Sequence, residues 1–123
     1  MTAIRSVERS VHEGEVGIHS LDQFVLAVPD LKQAESFYSD FGLDTRNTHN
    51  GLELRAFGGD QCWGRLVEGP AKKLHHISFG CYAEDLPYFQ ERMEENGVEI
   101  LDAPLGFESN GLWCHDPSGL LVE

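Results

Sequence analysis

Apolar residues along this chain recur at two spacings, every second position and every third or fourth, and the order of those spacings sketches an architecture. The first clear stretch is QFVLAV (23–28), rich in β-formers, with Phe24, Leu26 and Val28 on one face and Gln23, Val25 and Ala27 on the other. Such period-2 alternation predicts a strand with two distinct faces. In PDLKQAESFYSDFG the residues Leu31, Ala34, Phe37, Tyr38 and Phe41 fall at helical spacing, with Asp30 placed as N-cap and Gly42 as C-cap. A short polar side chain before the first turn and a glycine after the last are the usual boundaries of a helix. GLELRAF (51–57) and CWGRLVE (62–68), separated by GGDQ, then read as strand, turn, strand.

The order repeats in the second half. HHISFGC (75–81) alternates like the first strand, and EDLPYFQERMEENG (84–97) is patterned like the first helix. Asp85-Leu86 follows Asp30-Leu31 by 55 residues and Gly97 follows Gly42 by 55, whereas Phe24, Leu26 and Val28 match Ile77, Phe79 and Cys81 at an offset of 53. VEILDAP, GLWCHD and GLLVE supply further short strands around turns. An internal repeat of this kind sets the fold. The expectation is an α+β domain over 21–123, built from two tandem β-α-β-β-β modules at about 21–70 and 74–123, forming a curved mixed sheet around a cleft. Residues 1–20 are expected to form a polar N-terminal arm.

Composition narrows the function. Nine basic residues against twenty-one acidic ones give a net charge of −12. Nucleic acids and anionic membrane surfaces require a basic footprint, so neither is expected as a partner. No apolar run approaches a membrane span, and the N-terminus lacks the apolar stretch of a secretory signal. Cys62, Cys81 and Cys114 show no paired spacing, which suits reduced thiols in the cytoplasm.

Alternation also sorts the chemistry. If each helix covers one sheet face, Gln23, His76 and Glu123 turn to the other face, and His75 points opposite to His76. Imidazole, carboxylate and amide oxygen together make an open-sided ligand set for a divalent metal, one histidine short of the facial triad that holds iron(II). The alternative for His76 is a hydrogen-bonded core histidine. His115, at a strand end before Asp116-Pro117, is a candidate general base. Arg55 and Arg65 are candidates for bidentate contact with an anionic substrate, or else ion-paired surface residues. Trp63 and Trp113 are candidates to line a binding surface. His12, His19 and His49 lie in segments without a supporting pattern.

LDQFVLAVPDLKQAESFYSDFGL, LHHISFG and GLWCHDPSGLLVE resemble the vicinal oxygen chelate superfamily, which includes glyoxalase I, bleomycin-resistance proteins and type I extradiol dioxygenases. The resemblance covers 20–123 and implies paired β-α-β-β-β modules. It also implies metal ligation by His76 and Glu123, with Gln23 at the first-module position and Arg65 where the glyoxalase branch carries a glutamate. The wording is closest to the N-terminal domain of two-domain extradiol dioxygenases, in which the C-terminal pair of modules commonly carries the iron. Three functions follow as expectations. The first is extradiol-type cleavage of a catechol-type small molecule at iron(II) or another divalent metal. The second is a metal-free small-molecule-binding or structural N-terminal domain, and the third is a glyoxalase I-like lyase. A homodimer is expected from the sheet edges such modules expose.

Overall fold

A computed structural model describes residues 17–123. Of the expected arm, positions 1–16, including His12, lie outside the described residues. The fold is α+β. Strand β1 (Ser20–Val28) leads to helix α1 (Leu31–Phe41), then to strands β2 (Asp44–Thr48), β3 (Gly51–Arg55) and β4 (Cys62–Glu68). Strand β5 (Lys73–Gly80) leads through a 3-10 turn (Ala83–Asp85) to helix α2 (Leu86–Glu95), and then to the short strands β6 (Cys114–His115) and β7 (Leu121–Val122). Hydrogen bonding orders the strands β2-β3-β4-β1-β5-β7-β6. Two compact units share the chain, Asp22–Ile77 and Ser78–Glu123, the second together with 17–21.

The first unit shows how little is needed to fix such a layout. Asp30 caps α1 by accepting the Gln33 amide at 3.0 Å, and Gly42 closes it in the left-handed region, φ 118°, its amide donating to Tyr38 and Ser39 carbonyls. Only a residue without Cβ takes that conformation at no steric cost. The crossover through α1, β2 and β3 lets β1 pair parallel to β4, in the register Phe24–Gly64, Val25–Arg65 and Leu26–Leu66. β3 pairs antiparallel to both β2 and β4. Neighbours across strands share a face, so Leu26, Leu66 and Leu52 form one row beneath the helix. Leu52, Leu54 and Leu66 are the buried cluster, with Phe24, Leu26, Val28, Leu31, Ala34, Tyr38 and Leu43 packed around it. The opposite face carries Val25 and Ala27, both also buried.

The second half of the chain follows the pattern less fully. β5 spans Lys73–Gly80 and the second helix runs Leu86–Glu95, close to their expected limits. The stretch VEILDAP is not a strand: Leu101 makes a single antiparallel bridge to Trp113. Residues 102–112 between them form a loop, where Pro104 removes a donor and Gly106 adopts φ 89°. Proline and a positive-φ glycine so close together end strand pairing. β2 (DTRNT) had no apolar alternation to announce it and forms because β3 offers it a partner edge.

Leu66 stands at the centre of the leucine row, 1% exposed. Leu66→Ala should cost about 2–5 kcal/mol of unfolding free energy, read as a drop in the urea midpoint with an unchanged slope.

Candidate functional site

The register of β4 decides what the non-helical face of the first unit presents. Arg65 lies between Val25 of β1 and Glu53 of β3, so all three side chains share the face opposite the leucine row. Gln23, two residues before Val25, shares it by alternation and is half-buried. His76 on β5 is 2% exposed. Its pKa is lowered to about 4, first by burial and then by the neighbouring His75 and Arg65. The imidazole is therefore neutral at physiological pH, with the Arg65 guanidinium close enough to disfavour a further positive charge beside it.

His75 and His76 are neighbours on β5, where alternation predicts opposite directions. The burial pattern keeps that alternation, His75 half-buried and His76 buried. Their Nδ1 atoms nevertheless meet at 2.8 Å, with ring centroids 5.0 Å apart. Nδ1 is bonded to Cγ, next to the main chain, so adjacent residues can bring these atoms together while the rest of each ring diverges. One Nδ1 carries the shared proton and the other accepts it. Burial and Lys73 lower the pKa of His75 as well, which suits a pair of neutral rings.

Arg55 is engaged. Its Nε and Nη2 donate to Glu53 Oε1 at 3.1 and 2.7 Å, and its Nη1 donates to the Asp60 carbonyl at 2.8 Å. The Glu53 contact raises its pKa. Arg55 is thus ion-paired with Glu53, a partner that had no pattern to mark it. Burial pushes the thiols of Cys62, Cys81 and Cys114 up, so none is a ready thiolate.

In the second unit, the turn Asp116–Gly119 delivers the last strand. Asp116 Oδ1 accepts from the Ser118 amide and hydroxyl and from the Leu120 amide, at 2.8, 2.7 and 2.9 Å, and Gly119 takes φ 94°. The Ser118 hydroxyl is the first cause holding the Asp116 carboxyl below its ordinary range. β7 then pairs with β6, Leu121 facing the exposed His115. Glu123 follows, half-buried. Its Oε1 accepts from the Ser78 hydroxyl at 2.9 Å and its Oε2 accepts a short hydrogen bond from Ser109. Ser78 lies two residues after His76 on β5 and so shares its face by alternation. Ser109 lies in the turn-rich loop, where no periodicity could mark it. Trp113 is buried rather than lining a surface, its Nε1 donating to Ser109 Oγ at 3.2 Å.

Gln23 and His76 thus belong to the first unit and Glu123 to the second. Among the described residues, no group of three or more His, Cys, Asp and Glu side chains is disposed to hold a metal ion. No described helix is long and apolar enough to cross a membrane.

Comparison with known proteins places these features in a family. The family described as Glyoxalase/Bleomycin resistance protein/Dioxygenase superfamily matches residues 20–123. Metapyrocatechase 2 of Cupriavidus necator is 36% identical over 106 residues, covering 86% of this chain and 33% of that protein. An extradiol ring-cleaving dioxygenase from Brevibacterium fuscum superposes with a TM-score of 0.72 at 26% identity, over 87% of this chain and 32% of that one. A Mn(II)-bound glyoxalase from Novosphingobium aromaticivorans shares the fold, with a TM-score of 0.71 at 20% identity over 88% of this chain and 38% of that one. The chain thus spans about a third of the length of the curated relative it matches.

The depressed pKa of His76 carries a pH signature. The unfolded chain takes up a proton near the ordinary value of 6.5, the folded chain only near 4. Between those values the unfolded state binds more protons, so folded stability is present above pH 6.5 and falls as the pH drops toward 4. The expected loss is on the order of 2–3 kcal/mol by pH 4.5. Urea unfolding of the wild type and His76→Gln at pH 7 and 4.5 checks it: the variant should lose correspondingly less, and equal losses would contradict the assignment.

Proposed function

Because the chain belongs to the glyoxalase/bleomycin resistance protein/dioxygenase superfamily, we propose that it serves extradiol-type cleavage of a catechol-type aromatic, as a domain that does not itself hold the metal. The activity half of this reading rests on the 36% identity to metapyrocatechase 2, maintained over 86% of the chain. In this reading iron(II), or another divalent cation, is bound by parts of the whole enzyme beyond the third that this chain matches.

The metal-free half rests above all on Arg65, which by register shares the sheet face of Gln23 and Val25 and stands where the glyoxalase branch carries a glutamate. A guanidinium at that position supplies a positive charge where a metal site of that branch needs a carboxylate. Both carboxylate oxygens of Glu123 also have local partners in the Ser78 and Ser109 hydroxyls, whereas the Nδ1 contact of His76 with His75 suits either reading. The second reading, with Gln23, His76 and Glu123 as ligands, is favoured by the family motif. It is also favoured by the neutrality of His76, since only an unprotonated ring nitrogen binds metal.

Two preparations test the proposal. The chain purified without chelator and supplied with iron(II) should retain far less than one metal per molecule and leave catechol uncleaved. A chimera in which this chain replaces the matching third of metapyrocatechase 2 should keep its parent's metal content and cleave catechol. One tightly held metal per chain, abolished by His76→Ala, would overturn the metal-free half. A folded chimera with full metal content but no ring-cleaved product would overturn the extradiol half.

A further inference from the structure

We propose that Glu123 is a pin: its carboxylate fastens the 102–112 loop to β5 through serine hydroxyls, where a ligand would hold a cation, and Ser109 is its positioning residue. The inference rests on the metal-free reading and says what the carboxylate does in its place. Every contact involved lies within the second unit.

The contacts form a closed set. Glu123 meets β5 twice, its side chain accepting from Ser78 Oγ at 2.9 Å and its main-chain oxygen accepting from the Phe79 amide at 2.8 Å. It meets the loop through the Ser109 hydroxyl. That hydroxyl in turn accepts from the Gly111 amide at 3.1 Å and from the Trp113 indole N–H at 3.2 Å. A serine hydroxyl has one proton to donate and two lone pairs, so Ser109 is saturated with its proton committed to Glu123. Trp113 is 2% exposed and closes the base of the loop, its carbonyl accepting from the Leu101 amide at 2.8 Å. The loop is therefore fixed at its base by the Leu101–Trp113 bridge and again by the Ser109–Glu123 contact. Its tip, Leu105, is 94% exposed.

Gly111 fits the same design. A Cβ there would lie 2.5 Å from Glu123 Oε2, so the space that any other residue would fill is taken by the carboxylate. Hydrogen bonds to an ionised acceptor are stronger than those between neutral groups, and two hydroxyl donors disperse a charge that a half-buried carboxylate otherwise leaves to water. A cation coordinating Glu123 would compete with both hydroxyls for the same oxygens and loosen the loop.

Amide hydrogen exchange by NMR, with Mn2+ as the probe cation, tests the pin. In Ser109→Ala and in Glu123→Gln, which keeps the side chain's size and serves if the first variant does not fold, the Gly111 and Phe79 amides should exchange about tenfold faster. Leu52 and Leu54, in the first unit, should keep their protection, and Ser109→Thr, which retains the hydroxyl, should restore that of Gly111. Added Mn2+ should leave the Ser78 and Ser109 resonances of the wild type unbroadened. Unchanged Gly111 protection in both variants, with no Mn2+ effect, would overturn the pin alone. Stoichiometric Mn2+ broadening at Ser78 and Ser109 would overturn the pin and the metal-free reading together.

Discussion

The row of Leu52, Leu66 and Leu26 beneath helix α1 is the constraint on which the rest of the first unit depends. Strands have two faces and a period of two, so burying this row under a helix fixes the direction of every other side chain on β1, β3 and β4. Val25, Glu53 and Arg65 must then share the opposite face, as their register shows. A one-residue slip of β4 would send Arg65 under the helix and take Leu66 out of the leucine row, putting a charge where a leucine packs. The chemistry of the open face is thus a by-product of hydrophobic burial on the other.

That face carries Arg65 and Glu53 as register partners, with Gln23 on the same side by alternation. Arg65 adds positive potential at His76, and burial takes away the water that would screen it. In the second unit the carboxylate of Glu123 is satisfied by uncharged donors from Ser78 and Ser109. His76 and Glu123 therefore each have local partners of their own. A sequence motif for metal binding is compatible with such a result, because the motif specifies the ligand side chains and leaves their neighbours open.

Much of the fold was legible because hydrophobic period reports burial directly. The Asp30 cap, the Gly42 stop, the two faces of β1 and the extent of β4 could all be read from spacing, and β5 was placed to within two residues. VEILDAP misled because its apolar residues suit a strand, while the prolyl and glycyl positions after it leave only the Leu101–Trp113 bridge. β2 was silent because an edge strand of polar residues is held by main-chain pairing, which leaves no pattern. The site was less legible still. Alternation chose the face of Ser78 and the motif chose Glu123, but the contact joining them spans 45 residues. Ser109, Glu53 and the meeting of His75 with His76 depend on loop path and rotamer, and local sequence carries neither.

The most direct test of the metal-free account is anomalous diffraction at the iron edge, from crystals of this chain grown anaerobically with excess iron(II). The account predicts no anomalous peak beside the Glu123 carboxylate and both of its oxygens on the Ser78 and Ser109 hydroxyls. A peak within ligand distance of Glu123 Oε2, with Ser109 displaced, would contradict it.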